Sequence, residues 1–416
     1  MNTLDMLSGR RSRLLRSAAV LAAACLLGSP AAADAGDERF TVGAFGTLGV
    51  ARTDNADIGF SRDQSQARGI SDHWSAKIDS LLGVQVNFRA TDSVELVGQV
   101  LSRYGAHGDF RPEVAWAFAR YDVNPHLALR VGRLGTELYM LGDSRHVGYS
   151  QLTVRPPNDF YGQLPFYHLD GADIAVTVPT GPGLLRAKAF YGRSDEVAPV
   201  GDEKLDLDGN MIGGAYLDYQ LGNWQWRATY AWMDLKHDLP QPVADARAFL
   251  YSLGPSFAAT ADAMGLKGKA ARFYSLGAVY DRGPLQFQAM LGQIRHDNAL
   301  YQDSTAGYLL AGYRIGQLTP YAGYSWVRSK DKGLTTGNPF VDGLVQIEAL
   351  RAAFHLDQKT FSLGARWDFR RNMALKAQVD MIRGSPESIY LRPPNSITPQ
   401  FDGRINVFSL TLDFAF

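Results

Sequence analysis

The sequence lacks a long apolar run, an excess of either charge and, except at one position, cysteine. No uninterrupted apolar stretch after residue 30 approaches the roughly 20 residues that a membrane-spanning helix needs, which excludes a helical membrane protein. The 42 basic side chains are balanced by 42 acidic ones, so no positive excess points to nucleic acid as a partner. Because the single cysteine, Cys25, lies in the leader described below, we expect no disulfide and no thiol chemistry.

Motifs for catalysis and for cofactors are also missing. The eight histidines are scattered and show no metal-ligand spacing. The run from Asp206 to Asn210 imitates the middle of a calcium loop, but Lys204 and Ala215 stand where that loop needs ligands. We therefore predict no enzymatic activity, no metal and no cofactor.

The first 35 residues have the order of a secretory signal peptide. Four arginines precede an apolar stretch from Ala18 to Leu27, and small residues follow up to Ala35. A twin-arginine signal and a lipidated Cys25 are the alternatives, and both fit these residues less well. We predict a cleaved leader over residues 1–35 and a mature chain over residues 36–416.

Glycine and aromatic residues are abundant, and the mature chain alternates in polarity. The 42 glycines and 47 aromatic residues (21 Phe, 19 Tyr and 7 Trp) suit many short strands with turns and interfacial rings. From Trp74 to Phe88, apolar residues at even positions alternate with polar ones, and segments near Phe361 and Leu375 repeat this period of two. About ten residues of alternation, repeated along the chain, predict an all-β transmembrane antiparallel barrel.

The alternating segments number sixteen, which is the even count that a bacterial outer-membrane barrel requires. The strand over residues 113–122 has two possible parities, so the direction of Arg120 stays open. Long and short connections alternate along the chain, which predicts long external loops and short periplasmic turns. The predicted strands are 40–51, 73–89, 93–104, 113–122, 126–134, 169–178, 184–193, 210–220, 223–235, 271–281, 284–296, 305–315, 318–328, 360–369, 372–383 and 404–416.

The last predicted strand places five large apolar residues on one face, among them Phe414 and Phe416. An apolar-out strand that ends in phenylalanine resembles the signal that the outer-membrane assembly machinery reads. We therefore expect Phe414 and Phe416 to serve as an assembly signal in a cell outer membrane of the Gram-negative type.

The third external loop, Gly135 to Leu169, is the candidate constriction of the channel. A loop this long without predicted structure is usually functional or mobile, and Pro156-Pro157 stiffens it. Its charged and aromatic side chains suit packing against a wet polar wall; a surface position outside the barrel is the alternative. The candidate pore-lining residues are Arg130, Glu137, Asp143, Arg145, Arg155, Asp159, Arg186, Lys188, Arg227 and Arg366.

A short pattern in and around this loop is similar to that of known proteins. Its parts are Gly132-Arg133, Val147-Gly148-Tyr149, Arg155-Pro156-Pro157, Tyr161-Gly162 and Asp170-Gly171. The pattern resembles a group of proteobacterial porin-like proteins within the trimeric Gram-negative porin superfamily. The Pro-Glu-Phe-Gly-Gly motif of the enterobacterial general porins is absent, so the pore residues of those proteins cannot be transferred. The resemblance implies a channel and a homotrimer, with contact through strands near both termini.

Three functional classes remain open from the sequence. The first is a porin for passive diffusion of small hydrophilic solutes or ions. The second is a channel selective for sugars or for small anions such as carboxylates or phosphate, because predicted lumen cations outnumber anions unless they are paired with neighbouring carboxylates. The third is a barrel enzyme or adhesin, for which no nucleophile constellation is present.

Overall fold

The alternating segments form a closed barrel in the computed structural model, which describes residues 39–416 apart from 201–202, 240, 242, 353, 386–387, 389–390 and 393–400. The predicted leader lies outside the described residues. Every barrel strand pairs with its antiparallel neighbour in the chain, and the first pairs with the last, so no sheet edge is left open. The sixteen barrel strands of the described chain are β1 (Phe40–Thr53), β2 (Leu81–Arg89), β3 (Val94–Arg103), β4 (Pro112–Asn124), β5 (Leu127–Gly135), β6 (His168–Thr180), β7 (Gly183–Arg193), β8 (Met211–Leu221), β9 (Trp224–Asp234), β10 (Ala270–Arg282), β11 (Leu285–His296), β12 (Asp303–Tyr313), β13 (Leu318–Lys330), β14 (Asp357–Arg370), β15 (Met373–Gly384) and β16 (Arg404–Ala415).

The remaining regular elements are short and lie in the connections. Two small antiparallel pairs join Gly59–Phe60 to Leu391–Arg392 and Val197–Val200 to Glu203–Asp206. The helices are α1 (Asn158–Tyr161), α2 (Val243–Ser252), α3 (Pro255–Met264), α4 (Pro339–Leu344) and α5 (Ile347–Ala352), with a 3₁₀ turn at Gly148–Ser150. None of the helices in the described chain is long and apolar enough to cross a membrane.

Strand β9 shows how the alternation sorts side chains between the two faces of the wall. Trp224, Trp226 and Tyr230 are 37%, 36% and 42% exposed on the outer face. Arg227, of the opposite parity, is 9% exposed and binds Asp218 of β8 inside the barrel. Arg227 thus points into the barrel, and its charge avoids the cost of about 2–4 kcal/mol that it would meet at the lipid midplane.

The predicted start of the second strand is wrong by eight residues, because the strand begins at Leu81 rather than at residue 73. The period of two continues through residues 74–80, but the chain turns there and pairs only through an isolated bridge between Ser75 and Ala51. Ile78, 2% exposed, packs into a core beneath the first loop, and Asp79 is held by a buried arginine. Tertiary contacts override the local pattern in this segment.

A β-bulge in β4 explains why its parity is ambiguous in the sequence. The pairing with β3 shifts between Gln99 and Val100, so that both predicted parities occur within one strand. Val114 faces outward before the bulge, and Tyr121 faces outward after it; they are 45% and 48% exposed. Arg120 lies opposite Arg130 in the register and therefore shares its inward face.

Two loops fold into the barrel. Loop 1 (residues 54–80) packs Ile58, Phe60 and Ile70 against the inner faces of β1, β15 and β16. Loop 3 (residues 136–167) packs its apolar side chains against the inner faces of β8 to β13. A separate cluster of buried apolar residues packs α2 and α3 against the loops that follow β7, β11 and β13.

Candidate pore constriction

Loop 3 begins at a cluster of charges on the inner wall, which we call the Glu137 cluster: Glu137, Arg130, Lys188, Asp173 and Tyr216. Glu137 Oε1 accepts hydrogen bonds of 2.7 Å from both Arg130 Nη2 and Lys188 Nζ. The Tyr216 hydroxyl donates to Glu137 Oε2 at 2.5 Å. Asp173 Oδ2 lies 3.1 Å from Lys188 Nζ and also binds Arg130. Two cations thus meet two carboxylates, and the cluster carries no formal net charge.

The charge state of Glu137 follows from these neighbours. Burial by itself raises the pKa of a carboxyl, but Lys188 and Arg130 outweigh it and hold the pKa of Glu137 below its usual range. Glu137 is therefore ionised at neutral pH. An ionised carboxylate on the loop thus faces two cations on the wall.

Arg227 and Arg186 stand next to this cluster and differ in their contacts. Arg227 forms two bonds of 2.6 Å to the Asp218 carboxylate and donates to the carbonyls of Glu137 and Tyr139 at 3.1 and 3.0 Å. Arg186 lies opposite Asp218 in the strand register, yet no hydrogen bond or ion pair joins its side chain to any residue that the structure describes. Arg186 thus leaves a formal positive charge on the inner wall beside loop 3.

The middle of loop 3 is held by a second group, the Arg155 cluster: Arg155, Asp79, Asp380 and Ser409. Arg155 donates to both oxygens of Asp79, at 2.9 and 2.7 Å, and to Asp380 Oδ2 at 2.5 Å. It also donates to the Ser409 hydroxyl. Arg155 is only 2% exposed, so its charge is enclosed by these partners instead of facing open water.

Wall cations hold the loop backbone between these clusters. Lys376 Nζ donates to the carbonyls of Gly148 and Thr153 at 2.7 and 3.0 Å, and it lies 3.1 Å from Asp413. Arg366 binds Asp368 at 2.7 Å and donates to two further loop carbonyls, those of residues 149 and 151. A Cβ at Gly148 would overlap the Asp413 carboxylate, so only glycine allows this close approach.

The other predicted residues of loop 3 have separate surroundings. Asp159 is fully buried in α1 and accepts from Ser325 Oγ at 2.7 Å and from Gln358 Nε2 at 2.5 Å. Burial raises the pKa of Asp159 to about 6. Arg145 lies over the Tyr167 ring at 3.8 Å and donates to the Phe166 carbonyl at 3.1 Å. Asp143 is exposed and accepts from the amide of the next residue.

The contacts show that loop 3 crosses the interior of the barrel. Lys188, which binds the start of the loop, is on β7, whereas Asp380, which binds its middle, is on β15. These strands are eight apart in a ring of sixteen and so lie on opposite sides. Loop 3 is therefore folded into the barrel, and a position on its outside is excluded.

Sequence reasoning named Arg130 and Lys188 as pore-lining residues, but not the wall carboxylates that bind the loop and these cations. Asp173 and Asp380 carried a usable signal, since strand parity places both on the inner face, but nothing local links them to Glu137 or Arg155. Loop 1 was missed altogether, although Asn158 Nδ2 of α1 donates to its Ser61 carbonyl at 3.1 Å. The apolar residues Ile58 and Phe60 in an otherwise polar segment are the signal that indicates its inward fold.

The predicted assembly residues lie at the seam where the barrel closes. Phe416 donates its backbone amide to the Ala44 carbonyl at 2.7 Å, and Ala44 returns a bond to Phe416 at 2.9 Å. Phe414 is 3% exposed and Phe416 is 50% exposed. Recognition of these residues by assembly machinery stays a prediction.

The fold and the inner loop define a class of protein. A closed sixteen-stranded barrel with an apolar outer face, a charged interior and an infolded third loop is an outer-membrane channel. Within the described residues, no three His, Cys, Asp or Glu side chains are grouped closely enough to hold a metal ion.

The chain belongs to the Gram-negative porin family, whose pattern it matches over residues 17–386. Comparison with curated proteins gives no match. Among solved structures, the trimer form of in-vitro folded OmpT from Vibrio cholerae superposes with a TM-score of 0.54 at 14% identity, covering 91% of this chain and 100% of that one. OmpF of Salmonella typhi in complex with daunomycin gives 0.55 at 13% identity, with 91% and 97% covered. An anion-selective porin from Comamonas acidovorans gives 0.51 at 12% identity, with 91% and 99% covered. These likenesses show the fold, and the family establishes an outer-membrane porin channel.

Proposed function

We propose that loop 3 forms the constriction of this porin and that small hydrophilic solutes and ions diffuse passively past it. The observation that supports this most is the attachment of the loop to opposite inner walls, through Glu137 on one side and Arg155 on the other. A segment fixed at both sides of a channel reduces its cross-section. Exposed charges beside that segment act on solutes through a low-dielectric wall.

The candidate residues divide into two roles under this proposal. Arg155, Asp159, Arg227 and Arg366 hold the loop, because their charges or polar atoms are engaged by wall or loop partners. Lys188 and Arg145, 3% and 6% exposed, also hold the loop. Glu137, Arg130 and Arg186, together with the exposed Asp143, provide the charge that a solute meets. Since the Glu137 cluster is neutral, the unpaired Arg186 gives the inner wall beside it a local attraction for anions. A channel that favours small anions is therefore the second candidate function.

Single-channel recording of the full barrel in planar bilayers tests both statements. Arg186→Gln removes the uncompensated positive charge and should shift the reversal potential in a salt gradient toward cation selectivity. Glu137→Gln leaves Arg130 and Lys188 facing Asp173 alone and should shift it toward anion selectivity. Salt near 0.1 M keeps the Debye length at about 10 Å, so that the charges are not fully screened.

A matched control separates local from general charge effects. Arg89→Gln removes one inward-facing charge next to the short turn at residues 90–93, away from loop 3. It should leave the reversal potential nearly unchanged. Equal shifts in Arg89→Gln and Arg186→Gln, or no shift in either Arg186→Gln or Glu137→Gln, would show that loop 3 does not form the narrowest part.

We also propose a homotrimer that contacts itself through the outer face of β1. Phe40 and Val42 are 56% and 65% exposed on that face, and Leu48 and Val50 continue it at 45% and 39%. This apolar face lies beside the last strand, because β1 pairs with β16. A contact through it therefore involves the strands near both termini, as the family resemblance implies. Native mass spectrometry in mild detergent should give a mass of three chains; a monomer alone would contradict the assignment. We propose no catalytic activity, because the interior charges hold the loop and its neighbours.

A further inference from the structure

A small cavity lies between loop 3 and the inner wall of β1, β3 and β4, and we call it the Arg145 cavity. Its volume is about 30 Å³, which is room for about two water molecules or for a single ion of similar size. Loop 3 contributes Arg145, His146 and Tyr167 to its lining, and the wall contributes Arg103 and Trp116 among others. The cavity is separate from the Glu137 and Arg155 clusters, because no member of either cluster lines it.

Arg145 differs from the other enclosed cations of the described chain. Four other lysines and arginines are as enclosed as Arg145, and each has a carboxylate oxygen within 3.1 Å: Arg155, Arg227, Lys188 and Lys376. Arg145 is 6% exposed, yet none of the described carboxylates lies within 4.0 Å of its guanidinium. It donates instead to the Phe166 carbonyl at 3.1 Å. A buried cation without a counter-charge is destabilising, so an anion from outside the chain is favoured at this position.

His146 supplies a second unused polar group in the same cavity. Both of its ring nitrogens are buried, and neither has a hydrogen-bond partner in the part of the chain that the structure describes. Buried polar atoms are rarely left in this state. Burial, together with the nearby charges of Arg145, Arg103 and Arg62, holds the pKa of His146 well below its usual range. The ring is therefore neutral at neutral pH, and one of its nitrogens carries a proton that it can donate.

The ring of Tyr167 brings these basic groups together. Arg145 lies over it at 3.8 Å and Arg103 at 4.1 Å from the ring centroid. The centroid of the His146 ring is 4.8 Å away. A hydrogen bond of 2.7 Å between the Tyr167 hydroxyl and Ser65 Oγ fixes the ring in turn. The donors that face the cavity are therefore held in place before any ligand enters.

The carboxylates around the cavity have other partners or face water. They are Asp63, Glu113, Asp143 and Glu196. Glu113 lies 3.9 Å from Arg103, and its side chain is 41% exposed. Asp143 is exposed and accepts from the amide of the next residue. Asp63 accepts from a serine hydroxyl at 2.6 Å, and Glu196 accepts from the backbone amides of residues 167 and 168. The charge of Arg145 thus stays without a direct counter-charge at the enclosed end of the cavity.

We propose that a small monovalent anion of the size of chloride binds in the Arg145 cavity, where it accepts hydrogen bonds from the Arg145 guanidinium and the His146 ring. Hydrogen bonds between an ionised donor and an anion are among the stronger ones in proteins. A halide accepts such bonds from any direction, and its size suits a cavity of this volume. Because the cavity lies between loop 3 and the wall, this anion is a fixed part of the loop's attachment and not a solute in transit. The site does not depend on whether loop 3 is the narrowest part of the channel.

Thermal unfolding of the full barrel in detergent tests this proposal, with sodium chloride compared with sodium gluconate at equal ionic strength. Gluconate is too large for the cavity. Chloride should raise the melting temperature by about 2–4 °C and should saturate, as binding to a single site does. Arg145→Met removes the enclosed charge, and His146→Phe keeps a ring against Tyr167 without its donor; each should abolish the rise. In gluconate, Arg145→Met should melt no lower than the wild type, because it removes an unpaired buried charge.

The control carries the same loss of charge away from the cavity. Arg370→Met changes an exposed arginine at the short-turn end of β14 and should retain the full chloride effect. A heat-dependent shift in gel mobility confirms that each variant is folded. Crystals of the wild type grown in bromide provide a second readout, and the anomalous signal of bromide should show one ion between Arg145 and His146.

Three results would overturn the proposal. One is a chloride effect that is absent from the wild type or equally large in Arg145→Met, which would leave only a general effect of salt. Another is a bromide signal confined to other positions, such as the wall beside Arg186. The third is a chloride effect that appears only in Asp143→Asn, which would show that the Asp143 carboxylate already serves as the counter-charge of Arg145.

Discussion

Loop 3 is held on two sides by different kinds of contact. Toward β8 to β13 it packs rings, as where Phe160 meets Tyr308 at 5.5 Å and Tyr139 meets Phe273 at 5.3 Å between ring centroids. Toward β1 and β14 to β16 it is held by Arg155 and by wall cations that bind its carbonyls. Apolar burial stabilises without fixing a direction, whereas a buried ion pair has a narrow range of favourable geometry. The apolar side therefore holds the loop inside, and the charged side fixes where it lies.

The charged contacts of loop 3 stabilise the fold only when all of their members are present. Arg155 faces two carboxylates, which leaves one negative charge in excess. Donors on the wall offset this excess, since Ser362 Oγ and Gln378 Nε2 bind Asp380 Oδ1 at 2.6 and 2.7 Å. Removing one member exposes the others to the full cost of an unpaired buried charge. The apolar side has many small contributions and no single member of that importance.

The largest effect is expected from Arg155→Met. This change leaves Asp79 and Asp380 buried without their cation and should lower the free energy of unfolding by about 3–5 kcal/mol. Limited proteolysis should then cut loop 3 faster, and single-channel current should become noisier. The control is Arg111→Met, which breaks an ion pair whose side chains are 52% and 48% exposed and should change stability much less. Similar losses in both variants would remove the distinction between the two sides.

A smaller, pH-dependent effect is expected at Asp159, which joins the loop to β13 and β14. Its pKa of about 6 in the folded barrel exceeds the ordinary value of 3.8, so the folded state binds a proton more tightly than the unfolded state. Below pH 4, Asp159 is protonated in both states and does not lower the free energy of unfolding. As the pH rises from about 4 to about 6, its ionisation lowers the free energy of unfolding by an amount on the order of 2 kcal/mol. Asp159→Asn should abolish this component in melting curves recorded from pH 4 to pH 8.

The exposed Asp143 provides the control for that titration. Asp143→Asn should leave the pH dependence of the melting temperature as it is in the wild type, since the residue is exposed and binds only a loop amide. A wild-type barrel whose melting temperature does not fall between pH 4 and pH 6 relative to Asp159→Asn would contradict the raised pKa.

The smallest effect is expected from Tyr161→Phe on the apolar side. The Tyr161 hydroxyl donates to the Met140 carbonyl at 2.7 Å, and its loss should cost about 1 kcal/mol of stability. Conductance and reversal potential should not change, because the ring still fills its site. A change in either quantity as large as that of Arg155→Met would show that the apolar side also sets the position of the loop.

Much of the barrel wall was predictable from the sequence, because the direction of each side chain depends on its position within its own strand. A strand alternates its side chains by geometry, so the outward Trp224 and the inward Arg227 follow from parity alone. The contacts of the interior were less accessible. That Arg155 meets Asp79 and Asp380 depends on two loops and a distant strand meeting, with 76 and 225 residues separating the partners. No local pattern encodes such a separation.

The sequence by itself therefore determined the class of protein, the number of strands, the faces of the wall and the loop able to enter the barrel. These properties depend on the period of two and on the free energy of placing apolar residues against lipid, both of which act residue by residue. The tertiary structure alone decided that the strand before Leu81 is replaced by a turn, that loop 1 joins loop 3 inside, and that most inward cations are paired while Arg186 is not. Those outcomes depend on which distant charges are enclosed together, because a buried charge is tolerated only where a partner reaches it.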